Sequence, residues 1–397
     1  MKGETALNSW IETIVKQMPH LSKPQACVLG LWSFGILMTQ SCGLTSVAAF
    51  LASLLGKKEE AIRQQLREWY YAEKDKKGRE GKGHQRQDID TPSCFVPLLK
   101  WVLAWWPEGE KRLALAMDAS ALGQTFAVLA ISVVYRGCAI PVAWVLLPAN
   151  QPGAWKEHWI KLFHALHASV PSDWCVIVLA DRGLYARWLY QHIVKLGWHP
   201  FLRINSGGQF RPEGSFEFRS LKTAAPHVGS AWCGRAVCFK SHPFTCTLLA
   251  HWDAGHTDPW LILTDLHPEH ANACWYSLRF WIECGFKDTK RGGWRWQQTR
   301  ITDPDRAARF WLAIAVATLW AVSVGGEADA NLPASCLHEL PANHIARRRA
   351  TRRSRPRLLS CFRRGVLVIL SALINGLPLP LGTFYPEPWP TTLKTYP

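Results

Sequence analysis

Downstream of Leu113 the chain runs in short, almost unbroken apolar blocks: LALAMD closing on Asp118, FAVLAISVVY over 126–135 and AIPVAWVLL over 139–147. Each block is strand length and rich in Val, Ile, Leu and Ala. Gly123 and Arg136-Gly137 separate them, so the pattern predicts three successive strands joined by tight connections. Residues 155–168 switch to helical spacing, CVIVLAD (175–181) is a further buried strand ending on an aspartate, 184–196 is helical again, and 199–204 forms a fifth strand. The stretch 205–266 alternates short β-like runs with turn residues and closes on PWLILTD, after which helical spacing returns over 275–290 and 309–324. Upstream, the pattern is helical to about Tyr71, and the charged, Gly-containing stretch 73–88 reads as a solvated linker or DNA-tracking loop. No internal repeat is visible. Three parts follow: 1–90 helical with a basic linker, 91–330 an α/β unit with a β-rich insertion at about 205–266, and 331–397 a basic C-terminal region.

Composition narrows the function. The chain has 397 residues, 48% of them hydrophobic, enough to bury a large core. Lys plus Arg exceed Asp plus Glu by 46 − 30 = 16, which makes a polyanion the first partner to consider, because each cation near a phosphate releases counterions. The 12 cysteines follow no zinc spacing and read as buried thiols of a reducing cytosol. Charges at Glu4, Glu12 and Lys16 argue against a signal peptide at the start. Two apolar runs, 26–56 and 310–324, are read as buried helices rather than membrane spans, the first because Ser, Thr, Gln and Gly interrupt it, the second because it is shorter than the roughly 20 residues a bilayer needs.

Two regions carry candidate DNA contacts. Over 45–71, Val47, Phe50, Leu51 and Leu54 have helical spacing after a Thr45/Ser46 cap, and Gly56-Lys57-Lys58 supplies a turn. In the second helix Ile62, Leu66 and Trp69 point inward, leaving Glu60, Arg63, Gln64 and Arg67 outward, as in a helix-turn-helix whose second helix reads the major groove. A purely structural helical pair has the same pattern. From Arg347 to Arg364 there are nine arginines, Arg347, Arg348, Arg349, Arg352 and Arg353 among them, a density suited to phosphate contact. Of the 22 tryptophans most belong in a core, while Trp232 or Trp252 could stack on an unpaired base.

The candidate chemistry lies in three acidic residues. Asp118 and Asp181 each end an apolar strand, where loops leave room for a ligand. Either alone is more simply a cap or turn residue. On a regular helix over 275–290, at about 100° per residue, Tyr276, Arg279, Glu283 and Lys290 fall within about 60° of one another, while Trp275, Leu278, Ile282 and Phe286 face the core. An ordinary amphipathic helix with an Arg279–Glu283 pair fits as well.

The segment 276–290, YSLRFWIECGFKDTK, sets Tyr276, Arg279, Glu283 and Lys290 in the spacing Y-x2-R-x3-E-x6-K. It resembles the signature of the IS-four family of insertion-sequence transposases, a branch of the DDE transposases with a ribonuclease H-like core. MDAS around Asp118 and LADRG around Asp181 resemble that family's aspartate motifs, and the resemblance spans roughly Leu113 to Trp320. It implies a ribonuclease H-like mixed sheet flanked by helices, a β-rich insertion before the glutamate, and an N-terminal all-α helix-turn-helix region. It also implies metal-dependent cleavage and strand transfer of double-stranded DNA, at element ends and target, by a cut-and-paste route through hairpin ends. Asp118, Asp181 and Glu283 would hold two Mg2+ ions, for which Mn2+ may substitute, Asp118 bridging them, since hard cations take oxygen ligands. Asp265, ending WLILTD, is the competing carboxylate. Tyr276, Arg279 and Lys290 would bind phosphates beside Glu283. A homodimer on paired ends, a cytoplasmic, nucleoid-associated setting and no membrane complete the expectation. The rivals are a metal-dependent nuclease on the same core and a DNA-binding protein without catalysis.

Overall fold

The structure is a computed structural model and describes residues 2–76, 87–149, 155–331 and 359–391. The three apolar blocks form β1 (Arg112–Leu122), β2 (Phe126–Tyr135) and β3 (Cys138–Pro148), an antiparallel meander. Its turns need left-handed backbone at Gly123 (φ 66°) and at Arg136-Gly137 (φ 45° and 81°), which is why glycine stands at both. Helix α6 (Lys156–His167) then leads to β4 (Cys175–Ala180), which lies parallel to β1. Helix α7 (Arg187–Lys195) leads to β5 (His199–Arg203), parallel to β4. The resulting order β3-β2-β1-β4-β5 is the one expected of a ribonuclease H-like core.

The β-rich insertion does not form a separate layer. Its strands β6 (Gln209–Pro212), β7 (Arg219–Ser220), β8 (Ala231–Cys238), β9 (Phe244–His251) and β10 (Trp260–Thr264) continue the same sheet in the order β5-β10-β9-β8-β6-β7. Because β10 runs antiparallel to β5, the carboxyl end of β10 lies at the opposite edge from those of β4 and β5. The fold is thus α/β, with a ten-stranded mixed sheet flanked by helices and a helical N-terminal region.

Helices α1 (Lys2–Gln17), α2 (Lys23–Thr39), α3 (Leu44–Leu55), α4 (Glu59–Trp69) and α5 (Phe95–Ala104) precede the sheet. Helices α8 (Trp281–Thr289), α9 (Pro304–Ala330) and α10 (Cys361–Ile374) follow it. One hydrophobic cluster runs from Leu7 in α1 through the sheet to Phe384, so the three parts read from the sequence share a core. Trp10 stacks on Trp320 of α9 at 4.0 Å, and Trp144 of β3 donates to the Ala308 carbonyl at 2.9 Å. Helix α9 is long and apolar enough to cross a membrane, with mean hydropathy 1.7, yet 89% of that window is buried inside the protein. Helices α2 and α3 are apolar as a pair but bend by 101°.

Helix α8 lies against the meander at Gly285, where a Cβ would come within 2.9 Å of the Ala139 Cβ. Any larger residue would push the helix, and Glu283 with it, off the sheet.

Candidate active site

The carboxyl ends of β1 and β4 bring the two aspartates together. Ala116 pairs with Leu179 in parallel register, so Asp118 and Asp181, each two residues further on, reach the same edge. The third acid arrives from α8. The sequence predicts one even helix over 275–290. The structure has a 3-10 segment, Ala273–Phe280, that becomes α-helical only at Trp281. A 3-10 turn has 3.0 residues instead of 3.6, so the positions before Trp281 are rotated relative to the regular-helix expectation. Tyr276 therefore turns inward: it is 4% exposed, and its hydroxyl lies 3.4 Å from both the Ala180 carbonyl and Asp181 Oδ1. Leu278, Ile282 and Phe286 face the core as expected.

Arg279 ties two of the acids together. Its Nη2 donates to Asp118 Oδ2 at 2.9 Å, and its Nη1 donates to Glu283 Oε1. Asp118 Oδ1 also accepts from the Ala119 amide at 2.8 Å. Burial pushes the Asp118 carboxyl up. Arg279 and the Ala119 amide pull it back, and the charges of Glu283 and Asp181 push it further up. Burial opposes the charge on Arg279 too, but Asp118, Tyr276, Asp181 and Glu283 outweigh it and raise its pKa. Lys290, at the end of α8, donates to Ser120 Oγ at 2.8 Å. Burial lowers its pKa, and Asp118 partly restores it.

Among the described residues no group of three or more His, Cys, Asp and Glu side chains could hold a metal ion as the side chains stand. The guanidinium of Arg279 lies where Asp118 and Glu283 would share a cation. Carboxylate oxygens are the donors a hard divalent ion takes, and Asp118, with its side chain 17% exposed, is the most desolvated of the three acids. Asp265 is excluded from this cluster. It sits at the opposite edge of the sheet, where His199 Nδ1 meets it at 3.0 Å.

Sequence reasoning missed three residues that lie beside the acids. Ser120 lies two residues beyond Asp118, on the same face of β1, and the period of a strand was the available signal. Arg203 ends β5 as Asp181 ends β4, with Nη1 at 4.0 Å from Asp181 Oδ1. Asp258, in the loop before β10, binds both Arg182 and Arg203. Nothing in its surroundings in the sequence marks it.

The expected DNA-reading residues are placed differently. Helix α3 begins at Leu44 after Gly43, with no side-chain cap, so Thr45 and Ser46 do not cap it. Thr45 instead accepts from Arg63 Nη1 at 3.0 Å. Gly56 ends α3 in the left-handed conformation, as the predicted turn requires. Arg63 is exposed, whereas Gln64 and Arg67 are half-buried in a chain in which Arg67 donates to Gln64 and Gln64 to Glu68. Arg347, Arg348, Arg349, Arg352 and Arg353 lie outside the described residues, as do 77–86 of the basic linker. Arg363 and Arg364, at the end of that arginine run, bind Gln40 and Asp329 across the helical layer. Trp232 packs edge-on against Phe210, and the Trp252 indole donates to the His256 carbonyl. Cys233, expected to be buried, is exposed.

No curated protein matches the chain. Residues 146–320 match the family model described as a transposase DDE domain, a span that contains Asp181, Tyr276, Arg279, Glu283 and Lys290 but begins after Asp118, and this match supports a DDE transposase.

Proposed function

We propose that the chain is an IS-four-type transposase that cleaves and rejoins DNA strands at the sheet edge formed by Asp118, Asp181 and Glu283. The observation that carries this reading is that parallel β1 and β4 bring Asp118 and Asp181 to one edge of the sheet, where Arg279 bridges Asp118 to Glu283 of α8. A desolvated carboxylate such as Asp118 costs stability unless something positive joins it, and such arrangements mark functional sites. Asp118, Asp181 and Glu283 would hold divalent ions, Mg2+ or Mn2+, which when bound supply Lewis-acid charge for phosphodiester transfer.

The protein's own residues do the rest. Arg279 neutralises Asp118 and Glu283 while DNA is absent. The planar fork of Arg279 would grip two oxygens of a strand phosphate. Lys290, held at the end of α8 by Ser120, adds a point charge. Tyr276, buried against Asp181, orients that carboxylate through its hydroxyl. Exposed Arg63 on α4 is placed to touch duplex DNA, and the arginines of 347–353 add phosphate contact. Two copies, each on one element end, would form the working complex in a cytoplasmic, nucleoid-associated setting. Hairpin closure of each cleaved end is the step for which Arg279 and Lys290 would steady the bent backbone.

End-labelled duplexes carrying the element ends, incubated with Mg2+ and run on denaturing gels beside gel shifts, test the assignment. Asp118→Asn, Asp181→Asn and Glu283→Gln should each lower cleavage by about 10³-fold or more while DNA binding survives. Asp265→Asn should cleave normally. Cleavage retained by Glu283→Gln and lost by Asp265→Asn would overturn the assignment.

A further inference from the structure

Beside the acidic edge lies a second charged group that the catalytic reading does not use. Asp258, in the loop between β9 and β10, is held by two arginines, one on each carboxylate oxygen: Arg182 Nη1 meets Oδ2 at 2.9 Å and Arg203 Nη2 meets Oδ1 at 3.0 Å. Thr257 Oγ1 adds a longer contact to Oδ1 at 3.3 Å. Arg182 directly follows Asp181 in the chain, and Arg203 Nη1 stands 4.0 Å from Asp181 itself. The arginines differ in exposure: the Arg203 side chain is 15% exposed, whereas Arg182 and Asp258 are 50% and 43% exposed and face solvent. Arg203 Nε is buried and has no hydrogen-bond partner among the described residues, so the guanidinium is not saturated by Asp258.

Two guanidiniums converging on two oxygens of one planar anion is also the geometry with which arginine takes a phosphodiester. We infer that Arg182 and Arg203 form a phosphate clamp for the DNA strand entering beside Asp181, and that Asp258 is an internal phosphate mimic that fills the clamp until DNA displaces it. The inference rests on the transposase reading for the identity of the strand, but the clamp and its occupant rest on the contacts above. A carboxylate on a solvent-facing loop is the kind of occupant that can leave: exposed ion pairs hold weakly, and the phosphate of a polyanion brings counterion release that a single carboxylate cannot. The exchange forms and breaks no covalent bond. Asp258 would thereby lower affinity for short or stray DNA and reserve the clamp for a strand held elsewhere on the protein as well.

The test uses full-length protein in EDTA, so that binding is read without cleavage, with a short duplex as one probe and inorganic phosphate as the other. Asp258→Asn keeps the side-chain volume at an exposed position and removes the charge. It should bind the duplex about threefold to tenfold tighter than wild type. The slope of log affinity against log salt should steepen by roughly one phosphate contact, about 0.9. Inorganic phosphate should raise its melting temperature more than that of wild type. Adding Arg203→Ala or Arg182→Ala to Asp258→Asn should cancel the gain, with Arg182→Ala, at its exposed position, guarding against a failure to fold. Duplex affinity equal to or below wild type in Asp258→Asn would show that Asp258 merely orders the arginines, and would overturn the inference even if cleavage by wild type stands. Should wild type neither bind nor cleave DNA, the transposase reading fails separately, and the phosphate-dependent melting shift still decides whether the clamp exists.

Discussion

The acidic edge and helix α4 use the same side chains to opposite effect. On α4, Arg67 is held by Gln64 and Gln64 by Glu68, all within two turns of one helix. At the sheet edge Arg279 is held by Asp118, 161 residues away in the chain, and by Glu283 on the helix that follows. A local ladder forms in any exposed helix and contributes a few tenths of a kcal/mol per pair. At the sheet edge burial pushes the Asp118 carboxyl up, Arg279 and the Ala119 amide only partly offset it, and the charges of the more exposed Glu283 and Asp181 add to the push. The first arrangement follows from helix geometry alone, whereas the second needs a reason outside stability, and the proposed binding of a cation and a phosphate would supply one.

The sharpest way to break this contrast is to remove the guanidinium from each side. Arg279→Ala, and to a lesser degree Lys290→Ala, should still nick DNA but lose hairpin closure by about 10²-fold, so that nicked ends accumulate on denaturing gels. Glu68→Gln, which disturbs the ladder on α4, should leave both steps unchanged. A wild-type protein that makes double-strand breaks with no hairpin at any time point would take this role from Arg279 and Lys290.

A smaller effect is expected on α4 itself. Arg63, exposed and donating to Thr45, should lower affinity for the element end by roughly 1–3 kcal/mol when replaced by Ala, with less effect on random DNA. Arg67→Ala should cost less, because Gln64 already holds that side chain back from the surface. Equal losses on both DNAs for Arg63→Ala would make α4 a phosphate contact.

The smallest effect is on pH. The pKa of Asp118 is raised by burial above its unfolded value, so protonation stabilises the metal-free fold. That contribution is complete below the unfolded pKa of about 3.9 and is lost as pH rises through the folded value. Metal binding runs the other way, since only the ionised carboxylate is a ligand. The Mn2+ concentration for half-maximal cleavage should therefore rise with falling pH, starting above the ordinary carboxylate range. A requirement that stays flat down to about pH 4 would show that Asp118 is not titrating against the metal.

Much of the sheet was legible because fully buried strands must be apolar throughout, and β1 to β5 are. The turns were legible because left-handed backbone selects Gly123 and Gly137. The candidate acids were expected as a set from a resemblance, Glu283 through the spacing of Tyr276, Arg279, Glu283 and Lys290, and Asp118 and Asp181 through the MDAS and LADRG motifs. What escaped was long-range. Periodicity cannot tell a 3-10 turn from an α-helix over 273–280, so Tyr276 was expected on the exposed face and is buried instead. Strand direction within the insertion decides that Asp265 faces His199 rather than the site, and no local pattern encodes it. Asp258 becomes meaningful only once β10 lies beside β5.

The central claim is that Asp118, Asp181 and Glu283 act together as ligands for a divalent cation. Calorimetric titration of Mn2+ into the protein bound to a non-cleavable duplex tests it most directly. Saturable binding in wild type and Asp265→Asn, with loss of binding by about tenfold or more in Asp118→Asn, Asp181→Asn and Glu283→Gln alike, is the result expected for a shared set of ligands. Binding that survives in Asp118→Asn and disappears in Asp265→Asn would contradict it.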